Sequence, residues 1–458
     1  MADQCNNPRG VIVLLDPVTE WKAVLDAAVR LGYLVIGVQL SPIPEAMRAF
    51  FPTTSMLEDA GASRALDRQD RDVFSCVQAL MLAVEELQTD KDIESLSIRA
   101  MIPLSETGVD FSDTISAMLG LTNHNPLDSV LCRRDKGFMK QAVAKQSGLQ
   151  VAKFARIGKN AQRDLEAKMD ALSLEYPVVI KTPQGFSTKD VYICTNLDDA
   201  RTALTNIFDN QGPDGRAAPC ALLEEYIGGT EFAVNLLASR KNQTGAAGLI
   251  VTDVWVYDKT NTARYNGAEM CDPNDPTLKE ICDYAKGVAR AVGIEYGAAH
   301  VEIKAKQISN PKDIIYTHPV MMEIGARLSG GRKAIMTQAA YQNQWDPFEA
   351  LIQSHLGELD DTTLSSPPLH VYHMFLPVEK AGRIKERNSI LDDTGKADNP
   401  IETLHSHFWL AKVGDHVQET TDITSCAGFV WLVGEKSKVR RDATLILDSF
   451  KLETEDEA

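Results

Sequence analysis

The chain has 458 residues, 44% of them hydrophobic and 24% charged, and carries a formal net charge of −17. This length supplies core for two to four packed units. The acidic balance argues against nucleic-acid binding, which needs clustered Lys and Arg against the phosphate backbone.

No run of eighteen apolar residues is present, so no membrane span is expected. The start, "MADQCNNPRGVIVLLDP", lacks the charged leader and small-residue cleavage site of a secretory signal. Eight cysteines (Cys5, Cys76, Cys132, Cys194, Cys220, Cys271, Cys282 and Cys426) are scattered without a CxxC pair. Free thiols in a reducing, cytoplasmic setting are therefore expected.

In chain order, "GVIVLLDP" reads as a buried strand and "TEWKAVLDAAVRLG" as a helix with a Thr cap and a terminal Gly32. "YLVIGVQL" is a second strand, "IRAMIPLSE" a later one, and "TGVDFSDTISAMLGL" the helix after it. Alternation of this kind implies a doubly wound parallel sheet, and hence an α/β class for the first part of the chain. No GxGxxG follows the first strand, which speaks against a dinucleotide site there.

From about residue 123 the texture changes. "DKGFMKQAVAKQSG" is a helix running from Asp135 to Gly148, and "YPVVIKTPQGFSTKDVYICTN" is a strand, a glycine-containing loop and a strand. "CALLEEYIGGTEFAVNLLAS" reads as strand, short connection, strand. "DPTLKEICDYAKGVARAVGI" is an amphipathic helix, "GAAHVEIKAKQ" and "PVMMEIGARLSGG" are strands, and "DPFEALIQSHLG" is a helix. Beyond about residue 360, "LHVYHMFLPVE" and "AGFVWLVGE" are strands, and the tail "ETEDEA" is solvated.

Several side chains stand out against these elements. Lys181 ends an apolar strand and faces the loop of Gly185, Ser187, Thr188 and Lys189, whose small and hydroxylic residues let backbone N–H groups approach an anion. A hairpin with a surface lysine explains Lys181 equally well. Lys136 sits in the first turn of its helix, where the dipole opposes a cation unless a ligand anion lies nearby. In "LLEEYIGGTEF", Glu224 and the backbone of Tyr226 and Ile227 could pair with an adenine edge, and Glu231 could hold ribose hydroxyls. Glu302 and Glu323 interrupt apolar strands, and two carboxylates converging on one cleft suggest a divalent cation. Arg327 could instead balance Glu323 as a structural ion pair. His300 shares the Glu302 face on a regular strand, either as a satisfied histidine or as a catalytic one.

Taken in order, "RDKGFMKQAV", "YPVVIKTPQGFSTKDV", "LLEEYIGGTEFAVNLL", "GAAHVEIK" and "MMEIGARLSGG" resemble the ATP-grasp superfamily of carboxylate–amine ligases. Within it, the chain is most similar to the L-amino-acid ligases that make dipeptides. The resemblance spans about residues 10–435 and implies a mixed α/β (α+β) ATP-grasp fold. That fold has an N-terminal doubly wound domain (1–122), a small lid subdomain with the phosphate loop (123–205), a large subdomain (206–358) and a small mixed C-terminal subdomain (359–458).

The resemblance also implies roles. Lys136, Lys181 and the Gly185–Lys189 loop would contact ATP phosphates, Glu224, Tyr226 and Ile227 the adenine, and Glu231 the ribose. Glu302 and Glu323 would hold Mg²⁺ or Mn²⁺, and Arg327 would steady the acyl phosphate and the tetrahedral intermediate. Where many members carry an asparagine two residues after the second metal glutamate, this chain has Gly325. The implied reaction couples a carboxylate to an amine, both from amino acids in this branch, with release of ADP and phosphate. Tyr265, Glu106 and Ser329–Arg332 are candidates for the substrate pocket, and a homodimer is a common assembly in such enzymes. The alternatives are another ATP-grasp ligase or carboxylase, or a regulatory protein that binds ATP without ligation.

Overall fold

The computed structural model describes residues 8–455 apart from 19, 42–51, 70, 186–189, 211–217, 242–244, 246, 260–263, 310–313, 394–399 and 422–424. Strands β1 (Val11–Leu15), β2 (Leu34–Gln39), β3 (Arg64–Asp67) and β4 (Ile98–Pro103) form a parallel sheet in the order β3-β2-β1-β4. All five side chains of β1 are buried, as a strand covered on both faces requires. Ile12 and Leu14 pack toward α1 (Trp21–Arg30), while Val11 and Val13 pack with residues of α3 (Val73–Lys91) and Ile115 of α4 (Val109–Met118). A short helix α2 (Thr54–Asp59) lies beside β3. The sheet is doubly wound, as the alternation predicts. The start of α1 differs from the reading above: its N-cap is Glu20, at φ 72° and without a side-chain cap hydrogen bond, and Thr19 lies outside the described residues.

Helix α5 (Lys136–Ala144) is capped by Asp135, whose Oδ1 accepts from the N–H groups of Gly137 and Phe138. It ends at Ala144, short of Gly148. Strands β5 (Phe154–Gly158), β6 (Val178–Lys181), β7 (Val191–Cys194) and β8 (Cys220–Glu225) form an antiparallel sheet in the order β5-β8-β6-β7. It is packed against α6 (Leu165–Leu172) and α7 (Leu197–Asp209) through Met169, Ile180, Leu204, Ile207 and Leu223.

The central sheet is antiparallel and has eight strands. It uses β9 (Thr230–Lys241), β10 (Ala247–Lys259), β11 (Tyr265–Cys271), β12 (Ala298–Ser309), β13 (Ile314–Gly325) and β14 (His370–Leu376), then, beyond β15 (Gly382–Asn388), β16 (Leu404–Trp409) and, beyond β17 (His416–Val417), β18 (Gly428–Gly434). The order is β13-β12-β9-β10-β11-β14-β18-β16. The "LLEEYIGGTEF" stretch is strand, short connection, strand, as read from the sequence, but the two strands do not pair: β8 belongs to the small sheet and β9 to the central one, so residues 226–229 cross between them. The strands after residue 360 extend the central sheet, while β15, β17 and β19 (Lys451–Glu455) form a separate three-stranded sheet.

Helix α8 (Lys279–Ala291) covers one face through Ile281, Ala285 and Val288 against Val234, Val301 and Ile303. Helix α9 (Lys333–Ala340) covers the other through Met336 and Ala340 against Ala233, Trp255 and Val371. Helix α10 (Pro347–Leu356) wedges between the parallel and central sheets, and α11 (Lys436–Ser449) backs the last strands. No disulfide joins the described cysteines, and none of the described helices is long and apolar enough to cross a membrane.

One buried cation ties the N-terminal domain to the turn after α8. Arg133 is fully buried, and its Nε and Nη2 donate to Asp113 Oδ2 at 3.1 and 2.9 Å. Its Nη1 donates to the Val292 carbonyl at 3.0 Å. Arg133→Ala leaves Asp113 buried and unpaired, so a loss of about 3–5 kcal/mol is expected in urea unfolding. A second stability effect concerns His355, whose burial holds its pKa down at about 4, against an ordinary 6.5. The folded state resists protonation that the unfolded chain accepts, so stability is full above about pH 6.5 and is lost progressively as pH falls toward 4. His355→Gln is expected to flatten that pH dependence of the unfolding free energy between pH 7 and 5.

Candidate active site

Four elements meet where the small sheet faces the central one. Glu224 near the end of β8 is 1% exposed, and its Oε2 lies 2.9 Å from Lys181 Nζ and 3.4 Å from Lys140 Nζ. Burial alone would raise the Glu224 pKa, but the two ammonium groups hold it below the ordinary value. Its Oε1 is buried without a partner, an acceptor free for a ligand N–H. Lys140 is fully buried, and burial brings it down to about 8 against the pull of Glu224. The sequence reading passes over Lys140. Its position, four residues after Lys136 on one helix, puts both lysines on the same face and was the available signal.

The bend that presents Glu323 comes from a slip in register. Glu302 on β12 stands opposite Glu323 on β13, but the next partner of Ile303 is Met321, so Met322 is left over as a bulge. Met321 and Ile324 therefore both reach the core while Glu323 points to the other face. The Met322 carbonyl accepts from Lys140 Nζ at 3.2 Å and from Lys181 Nζ at 3.5 Å. Glu302 and Glu323 are not core residues: their side chains are 32% and 31% exposed.

Like charges directly across a ladder repel, and each carboxylate has its own cationic neighbour. Lys136 Nζ lies 3.1 Å from Glu323 Oε2 and donates to the Gly185 carbonyl at 2.6 Å. Burial would raise the Glu302 pKa, yet His300, Lys259 and Lys333 bring it to about 2. The His300 contact is built from below. Asp253 accepts from Trp255 Nε1, at 2.6 Å, and from Asn235 Nδ2. That orients the Asn235 oxygen toward His300 Nδ1, 2.8 Å away. Nδ1 donates to that oxygen, and the ring turns Nε2 toward Glu302 Oε1 at 3.4 Å, an ion pair when the imidazole is protonated, so His300 is placed to position that carboxylate.

Arg327 does not balance Glu323. Its Nε donates to Glu106 Oε2 at 2.8 Å and its Nη1 to the Leu328 carbonyl at 2.8 Å. Glu106 thus enters the site from the N-terminal domain. Glu231 is paired with Lys259 Nζ at 2.7 Å and accepts from Tyr265 OH at 3.3 Å. The Ile227 carbonyl accepts from Lys304 Nζ at 3.0 Å, and that ammonium lies over the Tyr226 ring. Ser187, Thr188 and Lys189 of the candidate phosphate loop lie outside the described residues.

The fold and the comparisons agree. Residues 174–316 match the ATP-grasp domain family. This chain carries an ATP-grasp domain. Dapdiamide A synthase of Enterobacter agglomerans is 25% identical over 369 residues, covering 80% of this chain and 74% of that protein. The L-amino acid ligase of Bacillus licheniformis superposes with a TM-score of 0.68 at 16% identity, covering 98% of this chain and all of that one. The biotin carboxylase domain of Hydrogenobacter thermophilus 2-oxoglutarate carboxylase, solved with MgADP, ADP and bicarbonate, matches with a TM-score of 0.60 at 15% identity, covering 96% and 90% of the two chains. The fold is thus shared with proteins whose names give different reactions.

The glycine at 325 has a local physical reason. A Cβ built there would lie 3.1 Å from Glu106 Oε2 and 3.5 Å from Arg327 Cζ, so an asparagine would press on the Glu106–Arg327 pair. Gly325→Asn is expected to lower the melting temperature, and Glu106→Ala to absorb most of that loss. A double-mutant cycle in thermal unfolding should give a coupling of about 1 kcal/mol or more.

Proposed function

We propose that this ATP-grasp protein is an ATP-dependent carboxylate–amine ligase that activates a carboxylate, of an amino acid or a related acid, as an acyl phosphate and joins it to the amine of an amino acid. The observation that carries this reading is the cross-strand pair Glu302 and Glu323, beside Lys136, Lys181 and the Arg327–Glu106 clamp. Dapdiamide A synthase and the L-amino acid ligase support the amide-forming class by their names.

The donor set fits a divalent cation. Two half-exposed carboxylates face each other across adjacent strands, and all-oxygen sites of few ligands suit Mg²⁺ or Mn²⁺. Glu302 and Glu323 would hold it, and it would supply neutralisation of phosphoryl charge. Lys136 and Lys181, each now on a glutamate, are placed to turn toward the nucleotide phosphates. Glu224 Oε1, the unpartnered buried acceptor, suits the exocyclic amine of adenine, and Glu231 suits ribose hydroxyls.

A substrate carboxylate oxygen attacks the γ-phosphorus, the bond to the bridging oxygen breaks, and ADP leaves. The amine nitrogen then attacks the acyl carbon. The negative charge moves to the former carbonyl oxygen, where Arg327 stabilises it, and as the carbonyl reforms phosphate departs and takes up the proton that the nitrogen loses. Glu106 fixes the guanidinium by its Nε, which leaves N–H groups of the other end for that oxyanion.

The test is phosphate release from ATP with pairs drawn from the standard amino acids. A productive pair is expected, and Glu323→Gln and Arg327→Ala should each cut its rate by about a hundredfold or more. Full turnover in Glu323→Gln would remove the metal assignment, and a thermal shift with Mg·ATP but no release with any pair would favour a binding protein.

A further inference from the structure

Beyond its long-range pull on the Glu302 carboxyl, Lys333 has no ion-pair partner among the described residues, and it lies beside a histidine without hydrogen-bond partners. Lys333 opens α9 and is 6% exposed, yet among the described residues no carboxylate lies within ion-pair distance of its Nζ. Its nearest favourable contacts are the faces of Tyr257 and Trp255, at 5.2 and 5.6 Å. His373 on β14 is 1% exposed, and both of its ring nitrogens are buried without a partner. A pair of unsatisfied ring nitrogens at that depth is costly unless a ligand meets them.

Both groups converge on one spot. A Cβ built on Gly331 would lie 3.6 Å from Lys333 Nζ, 3.6 Å from His373 Cε1 and 4.0 Å from His373 Nδ1. Gly331 has φ +72° and no side chain, so the space stays open. The surround is rigid: Trp431 stacks on His373 at 4.7 Å and 19°, and its Nε1 donates to the Gly331 carbonyl at 3.2 Å. The Arg332 guanidinium lies over the Trp431 ring, 5.1 Å from its centre, and acts electrostatically on His373.

Charge points the same way. Arg332 and Lys333 occupy the start of α9, where the helix dipole disfavours cations, and the N-cap has no side-chain cap hydrogen bond. The acids that act on Lys333 are Glu302, Asp253 and Glu20. Glu302 holds His300, and Asp253 is taken up by Asn235, Thr252 and Trp255. Glu20 accepts from the Ile335 N–H, and burial pushes its carboxyl up to about 8, so it carries little charge at neutral pH. Two cations and a neutral imidazole thus border a gap that lacks an anion.

We propose that Lys333, His373 and Arg332 form a subsite for a substrate carboxylate other than the one being phosphorylated. The planar aromatic walls and the few donors suit a carboxylate better than a phosphate, which presents more oxygens to satisfy. This carboxylate belongs either to the amine substrate, as the α-carboxylate of an amino acid, or to a dicarboxylic acyl substrate. The inference rests on the ligase reading for the identity of its ligand.

Binding, measured without turnover, tests it. The full chain saturated with Mg²⁺ and a non-hydrolysable ATP analogue is titrated calorimetrically with the standard L-amino acids, their carboxamides, succinate, succinamic acid and inorganic phosphate. At least one free acid is expected to bind about tenfold or more tightly than its amide. Lys333→Met should reduce that preference to within about twofold, Lys333→Arg should restore part of it, and His373→Phe, which keeps the stacking, should weaken it independently. A preference among the amino acids places the carboxylate on the amine partner, and one confined to succinate places it on the acyl partner. Equal binding of acids and amides, an undiminished preference in both Lys333→Met and His373→Phe, binding of phosphate alone, or no binding would overturn the subsite. Phosphate release measured with the same compounds is separate: its absence beside an intact acid preference would count against the ligase reading alone.

Discussion

The arrangement depends on a carboxylate, Glu224, that could not be ionised where it stands without two lysines. An isolated carboxylate at 1% exposure is strongly disfavoured, and one ammonium 2.9 Å away with another at 3.4 Å makes it tolerable. Those lysines come from different elements, Lys181 from the small sheet and Lys140 from α5, and both also reach the carbonyl of the Met322 bulge on the central sheet. One acid therefore fixes the small sheet, the helix before it and the edge of the large sheet relative to one another. The bulge links this cluster to Glu323, because the same extra residue that offers its carbonyl to the lysines turns the glutamate away from the core.

Much of this was legible in the sequence, for physical reasons that differ by residue. Strand β1 announces itself by a continuous apolar run, and α5 by Asp135 at its cap. Glu302 and Glu323 stand out because charge inside a β pattern is rare without a purpose. Lys136, Lys181 and Glu224 do meet at one place, each beside a partner of opposite charge.

What the sequence hid depends on register and on long-range contact. Nothing in "VMMEIG" marks Met322 as a bulge, since either alternation leaves apolar residues inside. Helix α9 escaped notice because its start carries Arg332 in a left-handed conformation instead of a Ser, Thr, Asp or Asn cap. The fate of "EEYIGGTE" could not be read locally either, because two strands joined by four residues usually pair, and here they enter different sheets. The Glu106–Arg327 contact spans 221 positions, so only the fold brings it together.

The lysine–glutamate pairing within the cleft has a further consequence. Glu323 rests on Lys136, Glu224 on Lys181 and Lys140, and Glu231 on Lys259. The cleft is thus already a nearly neutral salt, with each anion carrying its own counter-ion. On the proposed reading, an arriving nucleotide with its metal acts as a second salt, and the two exchange ions: ammonium groups go to phosphate while carboxylates go to the metal and the hydroxyls. Such a trade strips little additional charge of water, so the site can take up a highly charged ligand within a protein whose overall sign repels it.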